Sequence, residues 1–141
     1  MNRQQIEALF AHWARGLNQH DASALSMLYA PNAVVESPMA GGEVKGRNAI
    51  GEVTRAWLSG FPDVTFTLEA LLIDGDRAAW IGVTHGTDTG GFMGLPPTNK
   101  PFRVPMVFLC TVADGVIIHE RRIYDFTGML VQIGLLKARP A

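Results

Sequence analysis

Apolar positions follow two different periods in this chain, and the change of period divides it. Up to Gly60 they recur every three or four residues. Ile6, Leu9, Phe10, Trp13 and Leu17 form the stripe of an amphipathic helix. Asn2, with Gln5 three residues later, has the pattern of a capping box at its start. Asp21 is placed to cap a second, short helix holding Leu25, Leu28 and Tyr29, with Pro31 after its end. Ala33–Ser37 reads as a short strand, broken by Pro38 and Gly41-Gly42. Arg47–Ser59 predicts a third helix, with Ile50, Val53, Trp57 and Leu58 on one side and Gly60 suited to its C-terminal cap.

From Val64 onward the period falls to two. The alternation predicts strands over Val64–Ile73, Arg77–Thr89, Phe102–Ala113 and Val116–Tyr124. Asp74-Gly75-Asp76 and Asp114-Gly115 are hairpin signals, because Gly accepts positive φ and Asp tolerates it. Gly90–Pro101 is too rich in Gly and Pro for a strand interior and reads as a long hairpin loop. Thr127–Leu136 predicts a closing helical turn, with Gly134 near its end. Helices followed by a meander of long strands imply an α+β fold, one domain over residues 1–141, with helices on one face of a curved sheet. Such a sheet wraps its helices as a cone, and an open end makes a pocket.

Composition narrows the possible functions. Charged residues make up only 18% of the chain, below the roughly 25% usual for soluble domains. Low charge and a four-strand outer face predict a homodimer that covers that face. Net charge is −1 with no basic cluster, which argues against nucleic-acid binding. The single cysteine, Cys110, reads as a small buried hydrophobe. No apolar run approaches the roughly 18 residues of a membrane span, and the first residues carry no leader pattern, so a cytoplasmic protein is expected. The four histidines at positions 12, 20, 85 and 119 lack metal-ligand spacing. There is no phosphate loop or nucleophile elbow. No metal and no cofactor are expected.

The densest chemistry lies on the last strand. His119, Arg121 and Asp125 alternate in an apolar setting, and residues two apart share a face. Strict alternation would aim all three into the pocket and leave Glu120, Arg122 and Tyr124 on a solvated or interface face. Asp125 has three open roles: a general base, an ion-pair partner of Arg121, or the N-cap of the terminal turn. His119 suits proton shuttling or donation to an oxyanion, and Arg121 suits holding a carboxylate or enolate. Trp13, Glu36, His85, Met106 and Phe108 are candidate pocket residues, each with a plain core or surface role as the alternative. Phe92, Met93 and Leu95 are placed to close the pocket as a lid.

Several motifs resemble one family. Gly86-Thr87 with Gly91-Phe-Met-Gly-Leu-Pro-Pro-Thr98 is similar to its G-T…G-x-F-x-G-x-P-P-T-G. Asp114-Gly115-Val-Ile-Ile118 is similar to its D-G-K-I-x-E. Asp125 with Gly128-Met-Leu-Val-Gln132-Ile-Gly134 is similar to its D-x-x-G-L-x-x-Q-L-G. Tyr29–Val35 and Gly46–Ile50 extend the likeness over nearly the whole chain. The family resembled is the SnoaL-like polyketide cyclase, or ester cyclase-like, group of the nuclear transport factor 2-like (ketosteroid isomerase-like) superfamily.

The resemblance implies a cone-shaped fold of three N-terminal helices in a curved mixed or antiparallel sheet. It also implies a cofactor-free acid–base reaction on a small apolar carbonyl compound, an aldol-type cyclisation or an isomerisation. Asp125 falls at the family's acid/base aspartate. His119, Arg121 and Asp88 stand where the family usually has Glu, Trp and His, and Asn99 where it has Gly, so left-handed φ is expected at Asn99. Two rival readings stay open: a non-catalytic small-molecule-binding domain with the same pocket, and an epoxide or ester hydrolase in which an Asp–Arg pair positions water.

Overall fold

A computed structural model describes residues 1–39 and 41–137. Helix α1 (Arg3–Asn18) buries the predicted stripe Ile6, Leu9, Phe10, Trp13 and Leu17. Its capping box is formed in both directions: Asn2 Oδ1 accepts from the Gln5 amide at 2.8 Å, and Gln5 Oε1 accepts from the Asn2 amide at 2.9 Å. Helix α2 (Ala22–Ser26) is capped by Asp21, which accepts from the Ala24 amide at 3.0 Å. Strands β1 (Tyr29–Ser37) and β2 (Gly42–Lys45) follow, then α3 (Arg47–Gly60). Strands β3 (Thr65–Asp74), β4 (Arg77–Thr87), β5 (Pro101–Ala113) and β6 (Val116–Tyr124) form the meander, and α4 (Phe126–Gln132) closes the chain. No helix is long and apolar enough to cross a membrane.

One six-stranded sheet runs in the order β2-β1-β6-β5-β4-β3. All pairs are antiparallel except β1 with β6, so the sheet is mixed. This is the expected cone-shaped α+β architecture. Even-numbered residues of β4 and β5 point inward. Ala78, Trp80, Thr84, Phe102, Val104, Met106, Phe108, Cys110 and Val112 are all buried against the helices. Asn18 ties α1 to β3 by accepting from the Phe66 amide at 2.9 Å and donating to its carbonyl at 3.3 Å. Gln132 docks α4 on β5 through both backbone groups of Arg103, at 2.7 and 3.2 Å.

Four details depart from the sequence expectation. Strand β1 begins at Tyr29 and contains Pro31, because its pairing with β6 shifts register between Tyr29 and Val34, where a missing N–H breaks no ladder bond. Strand β2 was not anticipated; it is a short, exposed edge strand with no apolar pattern. Gly60 lies inside α3 rather than capping it, and its missing side chain lets Phe92 pack closely: a Cβ there would sit 3.2 Å from the Phe92 ring. Most consequential is a β-bulge in β6. Ile117 pairs with Val112 and His119 with Thr111, so Ile118 is an extra residue without a partner. The bulge reverses the inside–outside parity of everything after it.

Candidate active site

Because of that bulge, the inner face of β6 carries Glu120, Arg122 and Tyr124, and the outer face carries His119, Arg121 and Ile123. The expectation that His119, Arg121 and Asp125 converge inside the cone is corrected accordingly. Glu120 is fully buried. Its Oε1 accepts from the Tyr29 hydroxyl at 2.9 Å, with the Cys110 thiol 3.8 Å away, and its Oε2 accepts from Arg122 Nε at 2.7 Å. Trp13 Nε1 donates to the Tyr29 oxygen at 2.9 Å, which extends the chain to α1. An isolated buried charge costs several kcal/mol, and here each charge has its counterion and hydrogen bonds.

The electrostatics follow from this burial. Burial, then the Glu120 carboxylate, pushes Tyr29 and Cys110 well above their ordinary pKa values, so both are neutral donors. Burial alone would lower Arg122, but Glu120 and Tyr29 outweigh it and keep the guanidinium charged. Burial also raises Tyr124, an effect tempered by Ser37 and Arg122 nearby.

The aromatic core flanks a cavity on both sides. Phe10, Trp13, Phe66, Trp80 and Phe108 pack with ring centroids as close as 4.4 Å. Trp57, Phe61, Phe92, Phe102 and Tyr124 form the other cluster. Between them, Trp13, Thr54, Trp57, Met106, Phe108, Arg122 and Tyr124 line a hollow with Leu17, Leu25, Val64 and Thr84. Its free volume is small, about 40 Å³, enough for a few waters. No carboxylate and no imidazole is in this lining. Trp57 Nε1 and the Tyr124 hydroxyl have no hydrogen-bond partner among the described residues. Trp80 Nε1 and Ser37 Oγ are also unpartnered but do not line the hollow.

A larger hollow, about 450 Å³, lies on the outer face of the sheet. Glu36, His119 and Arg121 do come together there, beside Leu72, Asp74, Arg77, Leu109 and Thr111. His119 Nε2 lies 3.0 Å from Glu36 Oε2. This groove is an open trough on exposed strands. The inner hollow is smaller, yet of the two it alone has a buried charged side chain, Arg122, in its wall.

The other candidates separate cleanly. Trp13, Met106 and Phe108 line the inner hollow and serve the core as well. His85 sits on the outer face, half-buried, with Nε2 2.7 Å from Thr65 Oγ1. Phe92 is buried among Trp57, Phe61 and Phe126 and does not line the hollow, while Met93 and Leu95 are exposed, so that loop is no lid over it. Asp88 anchors the loop from within: its fully buried carboxylate accepts from the amides of Gly91, Phe92 and Thr98 and from the Thr98 hydroxyl. Asp125 is exposed and caps α4, accepting from the Gly128 amide at 2.8 Å, and a Cβ at Gly128 would collide with that carboxylate. It makes no ion pair with Arg121 among the described residues.

Sequence reasoning did not anticipate Trp57, Arg122 and Tyr124 in the lining of the inner hollow, or Tyr29 and Glu120 in the buried network behind it. One signal was available: Val116-Ile117-Ile118 is an unbroken apolar run, which strict alternation cannot accommodate and a bulge can.

Fold and cavity define a cone-shaped α+β protein with a small, aromatic, charge-floored interior. Residues 7–133 match the SnoaL-like polyketide cyclase family, and the chain belongs to that family. It is 35% identical over 85 residues to the nogalonic acid methyl ester cyclase of Streptomyces nogalater, a match spanning 56% of this chain and 63% of that protein. It is 32% identical to the solved wild-type IdmH of Streptomyces antibioticus, with a TM-score of 0.77 over 91% of this chain and 97% of that one. TsrD of Streptomyces laurentii shares the fold, with a TM-score of 0.84 over 96% of this chain and 99% of that one at 24% identity.

Proposed function

We propose that this chain is a cofactor-free enzyme that closes or rearranges a small polyketide-like carbonyl compound in the inner hollow. The observation that carries the reading is the charged Arg122, held by buried Glu120, in the wall of a cavity otherwise lined by aromatic and aliphatic side chains and two threonines. A fixed cation in a water-poor site stabilises negative charge as it develops on a carbonyl oxygen. In an aldol closure the α-carbon loses a proton and attacks a second carbonyl carbon of the same molecule. The electron pair moves to that oxygen, which takes up a proton, and the mass is unchanged. The inner set, not His119, Arg121 and Asp125, is the one we propose for this work.

We further propose a homodimer through the outer sheet face. That face exposes Leu72 (61%), Leu109 (41%) and Ile123 (45%), an apolar surface a monomer would leave in water. It carries both Glu36 and Asp74 and the cations Arg77 and Arg121, so it can pair with itself about a two-fold axis.

The test is incubation with nogalonic acid methyl ester, the compound in the relative's name, followed by chromatography. A product of unchanged mass and shifted absorbance is expected, and Tyr124→Phe and Arg122→Met should slow its formation. The absence of carboxylate or imidazole from the lining favours one alternative, a binding domain without turnover. That alternative wins if the compound binds but is returned unchanged.

A further inference from the structure

The inner hollow is far smaller than the ligand proposed for it. Its free volume is about 40 Å³, while a site for a drug-sized molecule spans roughly 300–1,000 Å³. Part of the surrounding packing must leave before a carbocyclic ketone can enter. Every lining residue except Val64 sits on α1, α2, α3 or strands β4, β5 and β6, where movement disrupts a helix or a ladder. The aromatic cluster behind the wall differs in one member. Trp57, Phe102 and Tyr124 belong to α3, β5 and β6, but Phe92 comes from the β4–β5 loop, in a three-residue turn (Phe92–Gly94). Its side chain is buried, with ring centroids 5.6 Å from Trp57 and 4.7 Å from Phe61. A core ring carried by a loop can swing away without breaking a strand. This segment is held in place against strain. Gly91 and Gly94 have φ 87° and 74°, and Met93, at φ 56°, occupies the left-handed region that strains a residue with a side chain. Asp88 Oδ1 accepts from the Gly91 and Phe92 amides at 3.2 and 3.1 Å, and Oδ2 accepts from the Thr98 amide and hydroxyl at 3.1 and 2.9 Å. The Gly90 amide donates to the Gly60 carbonyl, at the end of α3, at 3.1 Å.

We infer that Phe92 sets the size of molecule the interior admits: residues 90–94 are a plug, and a ligand takes the place of the Phe92 ring beside Trp57. Asp88 is the positioning residue that holds the plug in. The loop does not overlie the hollow, so the device is no lid; the ring is the removable part of the packing behind the wall. This rests on the proposed function only for the size of the ligand. Withdrawal relieves the strain at Met93 but loses the Asp88 hydrogen bonds and exposes one aromatic ring to water. A ligand that fills the vacated space offsets that loss and shifts the population towards the open form. Apparent affinity is then the intrinsic affinity reduced by the fraction of molecules with the plug out.

The test is calorimetric binding of two uncharged ketones, cyclohexanone and the bicyclic α-tetralone, with amide hydrogen exchange followed by NMR. Loading the native chain with α-tetralone should speed exchange at the Gly91, Phe92 and Thr98 amides by at least about tenfold, because the closed, hydrogen-bonded form that protects them is displaced. Ligands ordinarily slow exchange, so the sign is informative. Phe92→Ala removes the plug and should bind α-tetralone about 10–1,000-fold more tightly than the native chain, as expected when the open form is a minor state of about 0.1–10%. Asp88→Asn keeps the ring but replaces an acceptor oxygen by an NH₂ that cannot accept. It should also bind α-tetralone several-fold more tightly although its fold is less stable, whereas a purely structural role for Asp88 predicts weaker binding. Should Phe92→Ala not fold, Asp88→Asn and the native exchange decide; should the native chain bind too weakly to be loaded, the two variants decide. Unchanged or slowed exchange on loading overturns the inference. So does a Phe92→Ala variant that binds α-tetralone no better than the native chain, or one that takes cyclohexanone alone, since the space of the ring would then be separate from the hollow. Plug behaviour in a protein that returns nogalonic acid methyl ester unchanged upholds the inference while the enzyme reading fails. Turnover of that ester with no gain in Phe92→Ala does the reverse.

Discussion

Strand β6 takes part in two short carboxylate–nitrogen contacts on opposite faces, one within the strand and one with Glu36 of β1. Arg122 and Glu120 meet at 2.7 Å with side chains 9% and 0% exposed, and His119 and Glu36 meet at 3.0 Å with side chains 43% and 39% exposed. The distances are nearly the same and the physical situations are not. Outside, water screens the attraction and solvates either partner left alone, so such a pair is worth about 0–1 kcal/mol. Inside, each ion has lost its water, and the partner is what replaces it. A short contact therefore says little until its surroundings are known. The inner pair is a commitment of the fold, and the outer pair is a surface detail.

The sharpest way to break that contrast is to remove one inner carboxylate. Glu120→Leu leaves a buried guanidinium without its counterion, and unfolding in urea should show a loss of about 3–5 kcal/mol. Glu120→Leu with Arg122→Leu removes both charges and should recover most of that loss, since an apolar replacement of a whole buried pair is often neutral. A double variant as unstable as the single one would mean that the network with Tyr29 and Trp13, not charge pairing, is what matters.

Most of the fold was legible because most of it obeys local rules. The α1 stripe, its capping box, the Asp21 cap and the Asp114-Gly115 turn all rest on a few neighbouring residues. Asn99 has φ 58°, as expected where the family carries Gly. The cone and the family were legible through motifs whose local roles are now visible: Asp125 caps α4, Gly128 makes room for that cap, and Gln132 fastens α4 to β5. The faces of His119 and Arg121 were misread for a single reason. Face assignment by alternation carries no memory of an inserted residue, and Ile118 is such an insertion. One unpaired residue put His119 and Arg121 on the other side of the sheet, while the bounds of β3 to β6 stayed within two residues of those expected.

The outer face invites the next test. Leu109→Asp puts a charge in the centre of the exposed apolar patch. Sedimentation at micromolar concentration should show a dimer for the native chain and a monomer for the variant, with thermal stability of the protomer little changed. A native monomer would remove the dimer proposal and leave Leu72, Leu109 and Ile123 as unexplained exposure.

A smaller effect comes from alkaline pH, through two groups of the inner face. Tyr29 and Cys110 have folded pKa values above their unfolded ones, by burial and then by Glu120. Their contribution is therefore complete below the ordinary values of 9.0 for the thiol and 10.0 for the phenol, and it is lost as pH rises beyond them. Each group should cost up to roughly 1.4 kcal/mol per pH unit over that range. Stability should hold level to about pH 8.5 and then fall. In Cys110→Ala the fall should begin about one unit later, at the phenol's threshold. An alkaline limb identical in both proteins would mean the thiol is not held neutral in the folded state.

The smallest effect belongs to the outer pair, and its smallness is the prediction. Glu36→Gln keeps the shape and removes the charge beside His119. Both partners are more than a third exposed, so water takes over whatever the carboxylate provided. The shift in urea midpoint should correspond to a change of no more than about 1 kcal/mol in stability. The same substitution is informative about assembly. If the outer face is covered in a dimer, Glu36 and His119 lose much of their water there, and Glu36→Gln should weaken association more than it weakens the protomer. A loss near 3–5 kcal/mol in a protein shown to be monomeric would contradict the contrast between the faces, because an exposed pair would then be behaving as a buried one.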